Sequence, residues 1–285
     1  MMDCLADFGA ILGEGPVWVP REQALYWVDI VGGELFRWSE TEAAKRIAIA
    51  QPLCSIVPRA SGGFVGGSYS GFVALDEHFE MTPITNPEPD LAQNRMNDGK
   101  VDRAGRFWAG TMSRDESGDN GSLYRLDTRL DCTLIDSGYG VTNGPAFSPD
   151  GRTMYHTDSA RQTIYAFDLD QSGAEQNKRV FAKFGEGEGY PDGMTVDAEG
   201  CLWIAFWDGW CLRRISPKGE RLAQIATPVQ RPTSCAFGGS DLDRLFVTSA
   251  RRDFDSAALL GQPQAGGLFV FNPGVTGIAE TPFAG

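Results

Sequence analysis

The chain has 285 residues, 42% of them hydrophobic, and sets 25 Lys plus Arg against 38 Asp plus Glu, a formal net charge of −13. That balance excludes the broad positive surface on which nucleic-acid binders and binders of anionic membranes depend. No apolar run approaches the length of a bilayer-spanning helix, while the apolar content suffices for a large core.

At the start, "MMDCLADFGAILGEG" has no basic segment before its apolar residues and no small-residue cleavage site, so no secretory signal is expected. The six cysteines (Cys4, Cys54, Cys132, Cys201, Cys211, Cys235) are scattered without a Cys-x-x-Cys pair and are expected to be reduced thiols of a cytoplasmic protein. With only His78 and His156 present, mechanisms built on a histidine cluster are nearly excluded.

Along the chain, short runs rich in Val, Phe, Tyr, Trp and Ile alternate with Gly, Asp and Pro clusters, and helical periodicity is nowhere sustained. "ALYWVDI" (24–30), "GFVGGSY" (63–69), "RFWAGTM" (106–112), "TMYHTDS" (153–159), "CLWIAFW" (201–207) and "RLFVTSA" (244–250) are one kind of strand. Leu25, Phe64, Phe107, Met154, Leu202 and Leu245 recur at intervals of 39, 43, 47, 48 and 43 residues. Most of these strands follow a turn such as "SGG", "RAG", "SPDG" or "DAEG", and each precedes another strand, from "GELFRW" in the first unit to "GGLFVFN" in the last. Six such units predict an all-β chain, a six-bladed β-propeller in one closed domain over residues 1–285. A β-sandwich would account for the strands but not for six matching units.

In a propeller the innermost strand of each blade lines a central channel. The candidates are residues 13–20, 53–60, 95–104, 142–150, 191–199 and 233–241, whose entrances carry Glu14, Ser55, Asn97, Asn143, Asp192 and Ser234. Glycine follows Glu14, Asn143 and Asp192, which lets the backbone turn sharply into the channel. Carboxylate and amide oxygens converging on one mouth repel one another unless a cation sits between them. Singly, Asn-Gly and Asp-Gly also read as ordinary turns and Glu14 as a solvated surface acid. Oxygen donors suit hard cations such as Ca²⁺, Mg²⁺ or Mn²⁺, and Zn²⁺ where waters complete its shell.

The stretch "RMNDGKVDRAGRFWAGTM" (95–112) packs Arg95, Asn97, Asp98, Lys100 and Asp102 beside an apolar strand, which is costly unless those groups face water, a metal or a ligand. Arg95 can fork two hydrogen bonds to a ligand or form a salt bridge at the rim. His156 reads as a packing residue in its strand. Trp207, Asp208 and Trp210 read either as a pocket wall or as turn residues covering a blade edge. Cys54, beside Ser55, lacks a histidine partner and reads as core, and no G-x-S-x-G elbow or Ser-His pair is present.

"LGEGPVW", "NRMNDGKVDRAGRFWAGTM", "TNGPAFSPDG", "PDGMTVDAEGCLW", "TSCAFGG" and "GLFVFNPGVTGIAE" together resemble the senescence marker protein / regucalcin / gluconolactonase family of sugar lactonases. The resemblance spans essentially the whole chain, and "NDGKVD" and "TSCAFGG" lean toward its regucalcin branch. It implies one divalent cation, Ca²⁺ or Zn²⁺ first and Mn²⁺, Mg²⁺ or Fe²⁺ also compatible, held by Glu14, Asn143 and Asp192. It also implies hydrolysis of gluconolactone or a related aldonolactone, for which a metal-activated water suffices; Asp192 is the best-placed proton acceptor if it faces that water, its alternative role being metal ligand only. Arg95 and Asn97 fall on the family's substrate-contacting positions, with Asp98 beside them, and within "MSRDESGDN" Asp115 stands nearest an acid that meets substrate hydroxyls. The expected partner is a small sugar lactone, and the oligomeric state is left open. Two other functions stay open: a calcium-dependent aryl esterase or organophosphate hydrolase, and a non-enzymatic calcium-binding propeller.

Overall fold

A computed structural model describes residues 2–285. Twenty-four strands form six antiparallel four-stranded sheets, the blades of a β-propeller. The innermost strands are Gly13–Val19, Leu53–Pro58, Asn94–Val101, Thr142–Phe147, Tyr190–Val196 and Pro232–Gly238, in blades one to six. All six candidate inner segments therefore overlap an inner strand, those at 95, 191 and 233 starting one residue late. Blade six takes its outermost strand, Asp3–Ala6, from the N-terminal end of the chain, where it pairs with Leu268–Phe271 and closes the ring. Among the described residues no helix is long and apolar enough to cross a membrane.

The second strand of each blade is nearly wholly buried between its neighbours, which is why those segments read as continuous apolar runs. Trp27, Trp108 and Trp203 occupy such strands and fill the space between blades. Two of these indoles are held by the turn that precedes them. Asp102 accepts from the backbone N–H of Ala104 (2.9 Å) and Arg106 (3.0 Å) and from Trp108 Nε1 (2.8 Å). Asp197 does the same with Glu199 (3.0 Å), Cys201 (2.9 Å) and Trp203 Nε1 (3.0 Å). Each aspartate thus ties the hairpin between the two inner strands to the packing between blades.

Every inner strand slips register against its neighbour near its entrance: at Glu14/Val17, Leu53/Ser55, Met96/Gly99, Asn143/Ala146, Pro191/Met194 and Pro232/Ser234. A bulge re-aims side chains out of strict alternation. Here it concentrates polar side chains at one mouth of the channel. Gly144 has φ of +73°, which favours glycine, whereas Gly193 is required by space, because a Cβ there would stand 2.2 Å from Ser234 Oγ.

Asp197→Ala leaves Trp203 Nε1 and the Arg214 guanidinium without their shared buried acceptor. It is expected to cost on the order of 3–5 kcal/mol in chemical unfolding. Asp197 lies at the opposite end of its inner strand from Asp192, so turnover per folded molecule should be retained. An unchanged unfolding midpoint would show that this turn does not anchor the blade.

Candidate functional site

At the bulged mouth the inner strands surround a cavity of about 240 Å³. Its polar lining includes Glu14, Arg95, Asn97, Asn143, Ser159 and Asp192, drawn from blades one, three, four and five. Leu12, Met112, Val141, Ala160, Tyr190 and Trp207 supply an apolar wall, and Glu116 and Arg252 complete the rim. The residues at the base are buried: Glu14 and Asp192 are 5% exposed, Asn143 4%, and Arg95 and Asn97 6%.

A chain of hydrogen bonds fixes their orientation. Arg95 Nη1 donates to Met96 O (2.9 Å) and to Asn97 Oδ1 (2.5 Å). Asn97 Nδ2 donates to Thr142 O (2.6 Å) and to Asn143 Oδ1 (3.0 Å). Asn143 Nδ2 meets Ser159 Oγ at 2.9 Å, and Ser159 Oγ donates to Pro191 O at 2.6 Å. Because the single hydroxyl proton of Ser159 is used on Pro191, Ser159 must accept from Asn143. That turns the Asn143 amide so that its oxygen, with a second lone pair, faces away from Ser159. The relay crosses blades three, four and five.

The acids are held less comfortably. Asp192 Oδ1 is buried with no hydrogen-bond partner, and Glu14 Oε2 accepts only from the backbone N–H of its neighbour Gly15 (3.0 Å). Burial, then the charge of Asp98, pushes Glu14 up to about 8. Burial, then the charges of Glu14 and Asp98, holds Asp192 well above the usual carboxylate range. Burial likewise raises Asp98 to about 6 against the pull of Lys100. These shifts mark carboxylates that cannot all ionise together without added positive charge.

An unpartnered carboxylate oxygen, a second buried carboxylate and an oriented amide oxygen fit a hard divalent cation. No histidine or cysteine lines the cavity to favour a softer ion. Among the described residues no group of three or more His, Cys, Asp or Glu side chains is arranged to hold a metal, so the set here is two carboxylates and an amide.

The other candidates from the sequence fall elsewhere. Asp98 does not line the cavity. The bulge turns its carboxylate to the backbone N–H groups of Gly99 (2.8 Å) and Gly144 (3.0 Å), deeper in the channel beside Lys100, Glu280 and Ser234. Asp115 also stays outside, accepting from Ser113 Oγ (2.5 Å) and Ser117 Oγ (2.8 Å) in its own exposed turn. The acid of that loop that does reach the cavity is the next residue, Glu116, whose backbone is left-handed at φ +59° and which pairs with Arg252. Ser55 and Ser234 are buried outside the cavity lining. Cys54 is buried, with burial pushing its thiol up to about 11. His156 is buried edge-on to Tyr139 at 4.8 Å, and burial depresses it to about 3. Trp207 walls the cavity, Asp208 pairs with Arg231 at 2.6 Å, and Trp210 is partly exposed.

Sequence reasoning missed Ser159, Glu116 and Arg252. Ser159 closes the repeated strand "TMYHTDS" and carries a signal only once its blade position is known. Arg252 belongs to the segment after the last such strand, and its pairing with Glu116 has no local signature.

Ser159→Ala removes the group that orients the Asn143 amide and is expected to weaken divalent-cation affinity about 10–100-fold in calorimetric titration. Unchanged affinity would remove Asn143 from the cation's ligands. The raised acids also set a pH dependence. Glu14 is protonated in both folded and unfolded chains below its ordinary 4.5, and only in the folded chain between there and about 8. The folded state then binds more protons, so the metal-free protein loses stability as pH rises through that window. Cation binding should raise the melting temperature more at pH 8 than at pH 5. A shift independent of pH would show that these acids do not receive the cation.

The model of the SMP-30/Gluconolactonase/LRE-like region matches residues 12–251. A 6-deoxy-6-sulfogluconolactonase of Pseudomonas putida is 37% identical over 287 residues, spanning 100% of this chain and 99% of that protein. Regucalcin of Xenopus laevis is 37% identical over 294 residues, with 100% and 98% covered. The crystal structure of a calcium-binding regucalcin from Agrobacterium tumefaciens superposes with a TM-score of 0.94 at 29% identity, covering 98% of this chain and 96% of that one. With a propeller of the same build and matches along its whole length, this chain belongs to the SMP-30/gluconolactonase/LRE-like family.

Proposed function

We infer that the cavity hydrolyses a sugar lactone, gluconolactone or a related aldonolactone, to its aldonic acid, with one divalent cation held by Glu14, Asn143 and Asp192. The observation that carries this reading is the buried, unpartnered Asp192 Oδ1 beside a second buried carboxylate, in a cavity with an oriented amide and an apolar wall. Lactonase names among full-length relatives support the reaction class. When bound, the cation would polarise the lactone carbonyl and lower the pKa of water.

The chain's own residues supply the rest. Asp192 is the proton acceptor: one of its oxygens faces no competing protein donor, and beside a cation the carboxylate would stay ionised and able to take the proton. Arg95 commits Nη1 to Met96 O and Asn97 Oδ1, which leaves other N–H groups of its fork for an oxygen of the substrate. A buried guanidinium there stabilises charge developing on the lactone oxygens and on the product carboxylate. Asn97 links the Arg95 position to Asn143, whose amide is oriented from its other side by Ser159, so losing Asn97 leaves that cation ligand held. Met112, Tyr190 and Trp207 cover the carbon face of a sugar ring and limit water. A covalent nucleophile has no support: Cys54 is held protonated, neither it nor Ser55 lines the cavity, and Ser159, which does, donates its proton to Pro191 O with no histidine in the lining to activate it. The aryl-esterase alternative loses ground for a similar reason, since neither histidine lines the cavity. A cytoplasmic setting fits the six free cysteines.

The test is acid release from a panel of five- and six-carbon aldonolactones, with and without chelator and across Ca²⁺, Zn²⁺, Mn²⁺, Mg²⁺ and Fe²⁺. Turnover is expected only with cation, and Asp192→Ala should lose both turnover and tight cation binding. Arg95→Ala and Asn97→Ala should retain cation while kcat/KM falls about tenfold to a hundredfold, the loss of one charged or polar hydrogen bond worth on the order of 1.5–3 kcal/mol. Cation uptake without acid release from any lactone would contradict the enzyme and leave a binding propeller. Undiminished cation in Asp192→Ala would remove that residue from the ligand set.

A further inference from the structure

Beside the reaction cavity, on the same mouth of the propeller, a second cavity of about 270 Å³ opens between blades two and three. The turn at Tyr69, the connection from Asn86 to Asn94, and Arg114 after the strand Phe107–Ser113 form its walls. Arg95 lines both cavities and is the wall between them. The Arg114 guanidinium stands 5.0 Å from the centroid of the Tyr69 ring, and that of Arg95 5.9 Å from the same ring. One aromatic ring therefore has two cations against it.

Neither arginine has a carboxylate within 4.0 Å among the described residues. The acid in the lining, Glu88, is already engaged. It accepts from Asn94 Nδ2 (2.8 Å), Thr111 Oγ1 (2.8 Å) and Tyr124 OH (3.1 Å). Two unpaired guanidiniums against one carboxylate leave this annex net positive in a chain whose formal charge is −13. Arg95 is buried and Arg114 exposed, so it is the Arg95 guanidinium whose missing counter-charge is costly, and a ligand anion shared with Arg114 removes that cost.

We propose that the annex binds an oxyanion carried on the far end of the lactone, a carboxylate, sulfonate or phosphate on its carbon chain, so that the enzyme prefers acidic sugar lactones to neutral ones. The inference rests on the lactonase reading. Arg114 is the specificity-determining residue: its planar fork matches an oxyanion with two parallel hydrogen bonds, and the Tyr69 ring holds the fork in place. Arg95, between the two cavities, would then face the lactone on one side and the oxyanion on the other. Arg114 takes no part in the ring-opening chemistry, so substituting it should change substrate choice and leave the reaction itself intact.

Two lactones of the same ring, glucono-δ-lactone and its 6-phosphate, test this with wild type, Arg114→Ala, Arg114→Lys and Arg114→Glu. Wild type is expected to favour the phosphorylated lactone at least tenfold in kcat/KM, by a margin that shrinks with added salt. Arg114→Ala should lose that margin through KM, Arg114→Lys should restore part of it, and Arg114→Glu should reverse it, all with glucono-δ-lactone kinetics unchanged. No preference in wild type, or an equal loss on both lactones in Arg114→Ala, would overturn the proposal. Calorimetric titration with 6-phosphogluconate and with inorganic phosphate separates this from the lactonase reading. Loss of 6-phosphogluconate affinity in Arg114→Ala supports the annex even without turnover. Inorganic phosphate bound as tightly as the sugar phosphate would make the annex a site for free anions and overturn its role in substrate choice.

Discussion

Three carboxylates that cannot share a buried space as anions govern this molecule. Glu14, Asp98 and Asp192 reach the channel from blades one, three and five, all nearly inaccessible to water, and the charge of Asp98 raises the other two. A protein free to relax would separate them. The propeller does not allow it, because closing six blades into a ring brings their inner strands to a common axis and aims each bulge at the same mouth. The fold thus concentrates acidic groups, and under the proposed function a divalent cation would complement them as well as serve as a reagent.

The hydrogen-bonding groups nearby divide along the same line. Asp98, with both oxygens on backbone N–H groups, is spoken for by the scaffold, whereas Asp192 keeps one oxygen with no protein donor at all. Asn143 stands between these cases, one face tied through Ser159 to blade five and its amide oxygen shared with Asn97. Orientation at the mouth therefore comes from the relay, and vacant acceptor capacity from Asp192. Burial between blades packs the strands that frame the mouth, with Trp108 and Trp203 held by Asp102 and Asp197 at the hairpins at the far ends of those strands.

Much of this was legible in the sequence, for a physical reason. Inner and second strands are buried on both faces, so "LYWVD", "RFWAGTM" and "CLWIAFW" stand out as apolar runs, and the chain repeats them six times. The outermost strands were not. Glu175–Lys183 and Arg221–Ala226 are largely solvent-facing and show no run to detect, and Asp3–Ala6 joins a blade whose other strands begin only at Pro232. The entrance residues were readable because Glu-Gly, Asn-Gly and Asp-Gly recur at one register. The bulge between Met96 and Gly99, which sends Asn97 to the cavity and Asp98 beneath it, cannot be inferred from alternation. The left-handed backbone of Glu116 likewise accompanies its entry into the cavity while Asp115 stays in its turn.

The central claim is that the repelling carboxylates at the channel mouth are complemented by one cation. Anomalous diffraction from a crystal grown with Mn²⁺ in place of the native ion tests it most directly. The account predicts a single strong peak in the channel within coordination distance of Glu14, Asn143 and Asp192 oxygens, about 2.2 Å for such a hard cation. A channel without anomalous density at saturating Mn²⁺, or a peak coordinated by other residues, would contradict it.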